Sequence, residues 1–213
     1  MLQIRSFTFN PFSENTYVLY NENKSAFLVD PGNFQPSETE EISKFIQDNG
    51  LNIQNILLTH AHIDHVLGLQ WAFDTYRVPV LMHQADQEVL ERNPMSARGF
   101  GFFFKPFEGD IDYLEEGETV SLDEDVLSIY HVPGHSPGSI AFHSQAQKWV
   151  ISGDVLFEGS IGRTDLYKGD FNQLIHSIRT KLFVLDDETK VFSGHGNPTH
   201  IGFEKQYNPF LKD

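Results

Sequence analysis

Apolar and polar positions along the chain change period several times, and each change marks an element. LQIRSFTF (2–9), TYVLY (16–20) and AFLVD (26–30) alternate or run apolar over strand-like lengths, with the Asn/Glu/Lys cluster at 21–24 as a turn. Pro31-Gly32 stops the third strand. PSETEEISKFIQDNG (36–50) puts Ile42, Phe45 and Ile46 on one helical face, with Ser37 and Glu40 spaced as a capping box and Asn49-Gly50 as the stop. IQNILLT (53–59) predicts a buried strand, after which Val66, Leu69 and Phe73 recur at helical spacing. VPVLM (78–82) and QADQEVLER (84–92) predict a further strand and helix.

The second half repeats the rhythm. ETVSL (118–122), VLSIYHV (126–132), SIAFHS (139–144) and KWVIS (148–152) read as consecutive strands. DFNQLIHSIRTKL (170–182) reads as a helix capped by Asp170, and TKVFS (189–193) as a last strand. Strands then helices, twice over, predict an α/β chain with two sheets face to face and helices on the outer faces. Its 213 residues suit one sizeable core, so residues 1–213 are read as a single domain. Residues 93–108 (NPMSARGFGFFFKPFE) stand apart, with five phenylalanines among glycines and prolines and no clear period. They read first as a loop that tucks some rings into the core. An aromatic flap hinged at Gly99 and Gly101 and a dimer contact are the other readings.

Composition narrows the chemistry. No apolar run approaches the roughly 18 residues of a membrane span, and MLQIRSFTFN has no apolar core of a signal peptide, which reads as a cytoplasmic protein. The chain has no cysteine, so any metal must sit on nitrogen and oxygen ligands. A formal net charge of −15 makes nucleic acid an unsuitable partner, and anionic substrates would need a local positive charge such as a metal.

The candidate chemistry lies just after four apolar strand candidates: ILLT-HAHIDH, IYHVPG-HSPGS, WVISG-D and VFSG-H. If these strands share a sheet edge, His60, His62, Asp64, His65, His135, Asp154 and His195 meet at one rim. Three of the four loops carry glycine, which allows the tight turns that aim ligands at a common centre. Seven such groups are too many for one tetrahedral ion and suit two divalent ions sharing an aspartate, with zinc, iron and manganese all compatible. A polar loop with Asp64 as an N-cap would explain a bare His-x-His, but not the whole ordered set. His83, His131, His143 and His176 read as structural, and His200 either as structural or as a neighbour of the site. Arg163 and Asp165 read as a buried ion pair fixing their loop, with substrate anchoring by Arg163 as the alternative.

THAHIDH with GHSPGS, SGD and SGHG resembles the metallo-β-lactamase superfamily over nearly the whole chain. The resemblance implies an αββα four-layer sandwich with a dinuclear site along one edge. By position, His60, His62 and His135 would hold the first metal, Asp64, His65 and His195 the second, and Asp154 would bridge both. GDVLFEGSIGRTDL and GHGNPTHIGFEKQYNPFL look most like short glyoxalase II-like (hydroxyacylglutathione hydrolase-like) hydrolases. That likeness implies cleavage of a small-molecule thioester such as S-lactoylglutathione by a metal-bridging hydroxide, with Asp64 and Asp154 as catalytic carboxylates and zinc as the first expectation for the two ions. The missing cysteine and signal peptide make secreted β-lactamases a poor match. The helical domain with which long glyoxalase II enzymes grip glutathione is missing, as the sequence ends about eighteen residues after His195. A persulfide dioxygenase-like oxidoreductase, with one iron on His60, His135 and Asp154, is the rival reading, and a lactone or ester hydrolase the third.

Overall fold

The computed structural model describes residues 1–212. The first sheet runs β1 (Gln3–Phe9), β2 (Glu14–Tyr20), β3 (Ser25–Val29), β4 (Asn52–Leu57), β5 (Val80–Met82) and β6 (Ile111–Tyr113) in chain order. Its first three strands are antiparallel and its last three join in parallel. The second sheet contains β7 (Thr119–Leu122), β8 (Asp125–His131), β9 (Ile140–Ser144), β10 (Trp149–Gly153), β13 (Lys190–Ser193) and β14 (Thr199–His200). Its spatial order is β14-β13-β10-β9-β8-β7, with β10 and β13 parallel. A small ribbon of β11 (Leu156–Phe157) and β12 (Ser160–Ile161) stands beside it.

The strand alternation sorts side chains into three apolar layers. Val18, Ala26, Leu28 and Ile56 face outward from the first sheet onto α1 (Pro36–Asp48), α2 (Ile63–Val66), α3 (Leu69–Tyr76) and α4 (Gln87–Gly99), meeting Ile42, Val66, Leu69 and Val89. The alternate positions Tyr17, Leu19, Phe27, Val29 and Leu57 face inward against Ile129, Ile140, Phe142 and Ile151 of the second sheet. Ala141, Val150 and Val191 point the other way, onto Leu174 of α5 (Phe171–Ser177) and Ile201 of α6 (Ile201–Tyr207). These are the expected four layers, αββα.

Local punctuation departs from the pattern in three places. The first helix is capped not by Ser37 and Glu40 but by Glu38, whose carboxylate accepts from the backbone N–H groups of Phe34 (2.7 Å) and Gln35 (2.8 Å). Pro36 occupies the first turn, where its missing N–H costs nothing, so the start shifts two residues earlier. Residues 93–99 are not loop: α4 carries on through Pro94 to Gly99. Beyond it, Phe104 is buried and Phe102 and Phe107 pack on the first-sheet core, while Phe103 is exposed. Asp170 caps α5 as expected, accepting from the Gln173 N–H at 2.9 Å, and a wider turn extends that helix over Ile178–Leu182. None of the described helices is long and apolar enough to cross a membrane.

Candidate metal centre

At one edge the two sheets are laced together. The Asn15 N–H donates to Gly194 O (2.7 Å), the Tyr17 hydroxyl to Ser193 O (2.6 Å) and the Ile140 N–H to Thr59 O (2.8 Å). The ends of β4, β10 and β13 therefore face one another, and the loop between β8 and β9 completes the ring. All seven predicted residues come to this rim. Donor atoms of His60, His62 and His135 lie within 4.8 Å of one another, and those of Asp64, His65 and His195 form a second such group. The Asp154 carboxylate spans the two. Its Oδ1 lies 3.4 Å from His65 Nε2, and its Oδ2 lies 3.6 Å from His135 Nε2 and 3.3 Å from His195 Nε2. Asp64 Oδ2 is 3.1 Å from His195 Nε2. Asp64 makes no N-cap bond; the cap position of α2 falls on His62.

The imidazoles are oriented by what holds their outer nitrogens. His65 Nδ1 lies 3.0 Å from Asp30 Oδ2, His135 Nδ1 2.7 Å from Arg163 O, and His195 Nδ1 3.1 Å from Phe12 O. His60 Nδ1 donates to Thr59 Oγ1 at 3.1 Å, because that hydroxyl itself donates to Asp30 Oδ2. A proton on Nδ1 leaves Nε2 as the lone pair turned into the site. The buried nitrogens His60 Nε2 and His65 Nε2 and the oxygen Asp154 Oδ1 have no hydrogen-bond partner in the protein. Leaving such atoms unmade is costly unless something else binds them. A nitrogen-and-oxygen donor set with converging lone pairs fits divalent metal.

Charge is finely divided here. Burial, together with the neighbouring imidazoles, keeps His60 well below the ordinary histidine range and pushes His62 down to about 3. His195 is pushed up to about 10: burial opposes its charge, but hydrogen bonds to Asp154 and Asp64 outweigh it. His65 is likewise raised, burial being overcome by the charges of Asp154 and Asp64. Both carboxyls are in turn held low against burial, chiefly by His65. The protons on His65 and His195 are the ones a cation would displace.

Two glycines make the convergence possible. Gly153 has φ +52°, and a Cβ there would meet Thr59 Oγ1 at 2.4 Å. Gly194 is needed for space instead: its Cβ would meet Asp154 Oδ1 at 2.1 Å. Three buried acids that pattern reading missed support the ring. Asp30, at φ +48°, also accepts from the Thr59 N–H at 2.7 Å. With His60 and His65 it forms a third close group, but its oxygens are already committed to Thr59 and His65. Asp86 accepts from Ala61 N–H (2.7 Å), Ser136 Oγ (2.6 Å) and Gly138 N–H (2.6 Å), tying the first histidine loop to the second. Glu14 is fully buried 3.8 Å from His65 Nδ1, and burial raises its carboxyl well above the usual range. Asp30 had a visible signal, an acid closing a buried strand before Pro-Gly; Asp86 and Glu14 had none.

A cavity of about 490 Å³ opens over the site. His62, Asp64, His135, Asp154 and His195 form its floor, and Phe12, Phe100, Phe157, Ile161, Leu166 and Tyr167 supply apolar wall. Phe100 packs edge-on against Phe12 at 4.8 Å between centroids. Arg163 and Asp165 do pair, at 2.7 and 2.6 Å, but the pair is exposed (63% and 69%) rather than buried, since it projects from the rim. His200 is exposed and lies outside the cavity lining. His83 and His131 stack face to face with centroids 4.0 Å apart, and neither lines the cavity.

Fold, ligand geometry and cavity together define a metal-binding α/β sandwich enzyme, and residues 9–195 match the Metallo-beta-lactamase superfamily. The chain belongs to that superfamily. It is 39% identical to the hydroxyacylglutathione hydrolase GloC of Haemophilus influenzae over 202 residues, covering 94% of this chain and 93% of that protein. Among solved structures it is similar to the BLEG-1 B3 metallo-beta-lactamase, with a TM-score of 0.91, 36% identity and coverage of 99% of this chain and 100% of that one. It is also similar to TTHA1623 in a di-iron-bound form, with a TM-score of 0.88, 36% identity and coverage of 97% and 100%.

Proposed function

We propose that this protein is a metal-dependent thioesterase that cleaves a small acyl thioester such as S-lactoylglutathione. His60, His62 and His135 would hold one divalent ion and Asp64, His65 and His195 the other, with Asp154 between the two groups. Zinc is the first choice of metal; the di-iron-bound relative keeps iron alongside it. Two such ions, when bound, supply Lewis acidity toward the carbonyl and a nucleophile ionised near neutral pH. The observation that carries the reading is the Asp154 carboxylate, whose two oxygens reach into both donor groups. A complete second group of Asp64, His65 and His195 favours this over a one-iron oxygenase, which would leave those three unused.

The chain's own residues do the rest. Asp64, held ionised and facing the cavity, would orient the nucleophile through a carboxylate oxygen. Phe12, Phe100 and Phe157 exclude bulk water from the acyl group, which strengthens every polar contact beneath them. A thiolate leaves unaided, its conjugate acid having a pKa of about 8.5, so no protonated acid is required in the wall. The similarity to GloC supports this substrate class. The similarity to BLEG-1 supports a second reading, hydrolysis of a β-lactam ring on the same floor.

Purified protein loaded with zinc, iron or manganese is tested on S-lactoylglutathione, on a chromogenic β-lactam, and on glutathione persulfide with an oxygen electrode. Fast metal-dependent thioester loss is the expected result. Persulfide turnover with oxygen uptake and no thioester loss overturns it. Asp154→Ala is expected to lose metal at both positions.

A further inference from the structure

Two arginines line the cavity, Arg92 and Arg163. Arg163 already has an anionic partner: its Nε and Nη2 donate to the two oxygens of Asp165. Arg92, on α4, stands differently. Its guanidinium lies over the Tyr167 ring, 3.9 Å from the centroid. No carboxylate oxygen of the described residues lies within 4.0 Å of it. The acid one helical turn earlier, Glu88, is engaged elsewhere, accepting from the Tyr167 hydroxyl and from Lys168 Nζ (2.5 Å). Glu88 therefore fixes the ring that Arg92 stacks on, and acts on Arg92 itself only through space.

Stacking uses the face of a guanidinium and leaves its N–H edge free in the plane, the edge that binds carboxylate bidentately. The protein carries a formal net charge of −15, so a partly buried cation in the cavity wall with no carboxylate at salt-bridge distance adds to the metal-site floor in admitting an anion. A single such cation suits one carboxylate; a thiol tailed with several phosphates would need more. The cavity, at about 490 Å³, is of the size that holds a peptide-like ligand.

We propose that Arg92 is the specificity-determining residue of the cavity: it binds a carboxylate on the thiol half of the substrate while the acyl carbonyl lies over the metal-site floor. The proposal rests on the thioesterase reading and deepens it. The thiol half is a small peptide thiol with a free carboxylate. Tyr167 acts as the platform that holds the guanidinium edge toward the cavity, and the apolar wall takes the uncharged part of the chain.

Two measurements test this on zinc-loaded wild type, Arg92→Met and Arg92→Lys, each checked for metal content and melting temperature. The first is calorimetric binding of S-methylglutathione, whose blocked sulfur cannot take the metal, and of its dimethyl ester. Wild type is expected to bind the acid at least tenfold more tightly than the ester. Arg92→Met is expected to lose that preference and Arg92→Lys to keep part of it. Equal affinity of S-methylglutathione for wild type and Arg92→Met overturns the assignment. The second is the ratio of kcat/KM for S-lactoylglutathione over S-lactoyl-N-acetylcysteamine, expected to fall at least tenfold in Arg92→Met through KM. An unchanged ratio overturns the assignment while the thioesterase reading stands. Absent hydrolysis of both thioesters, with Arg92-dependent binding intact, overturns the thioesterase reading and leaves Arg92 as a carboxylate-binding residue.

Discussion

Gly194→Ala isolates the convergence of β13 on the shared aspartate. The added methyl would lie 2.1 Å from Asp154 Oδ1, 2.6 Å from His65 Cε1 and 3.2 Å from His65 Nε2. An ordinary contact begins near 3.4 Å, so the carboxylate has to retreat by about 1.3 Å or β13 has to move off by the same amount. Asp154 has little freedom to do so, with His65, His135 and His195 around it at 3.3–3.6 Å. A misplacement of about 1 Å in a reacting constellation costs on the order of 100-fold in rate, or about 2.7 kcal/mol in the barrier. The expected result is therefore a roughly 100-fold lower kcat/KM for thioester hydrolysis and fewer than two metal ions per chain by elemental analysis. The far-ultraviolet circular dichroism stays native, because the clash is confined to the rim. A variant with full metal content and a rate within threefold of wild type would refute the claim that Asp154 must stand where it does.

Three further outcomes follow from the same geometry. Asp86→Ala removes the acceptor for Ala61, Ser136 and Gly138, and leaves two buried N–H groups bare; urea unfolding should show a loss of about 3 kcal/mol, and a loss under 1 kcal/mol would contradict this role. Burial, then the adjacent His131, push His83 down to about 4, whereas an unfolded histidine titrates near about 6.5. Between those values the unfolded chain binds more protons, so His83 draws stability down as pH falls from about 6.5 to about 4. His83→Gln should accordingly lose less melting temperature than wild type between pH 7 and pH 4.5, and an equal loss would count against the assignment. Chelation should lower the melting temperature by about 5–10 °C for each ion held at 100 times its dissociation constant, about 2.7 kcal/mol apiece, and restored zinc should reverse it.

Sequence pattern revealed most where one local rule decides. The strands were legible because Tyr17 and Val18, or Val150 and Ile151, alternate between layers that are both apolar. The convergence of the seven candidate residues was legible because each lies in a segment that follows such a strand. What pattern could not reveal depends on distant partners. Asp86 looks like an ordinary helix-start acid until Ser136 and Gly138 arrive from the other sheet. The ribbon β11–β12 is too short for its alternation to register, yet Phe157, Ser160 and Ile161 line the cavity. Glu204 is an unremarkable tail acid until it is seen buried, bonded to the Gly159 N–H (3.0 Å) and Asn208 Nδ2 (2.7 Å), holding that ribbon to α6. The helix predicted over 84–92 stopped short of Pro94, but α4 has that proline near its middle, and the persistence of the helix brings Arg92, Ser96 and Phe100 to one cavity.

The lacing of the two sheets has a thermodynamic corollary. His60, His62, Asp64 and His65 come from the half of the chain that builds the first sheet, whereas His135, Asp154 and His195 come from the half that builds the second. Neither donor group closes within one half, so an ion held by either would sit astride the seam and act as a rivet between the two. Metal affinity and the docking of the halves are then one linked equilibrium: whatever loosens the seam weakens the metal, and metal tightens the seam by the same free energy. Two fragments divided between Tyr113 and Thr119 should accordingly find each other more tightly in zinc than in chelator.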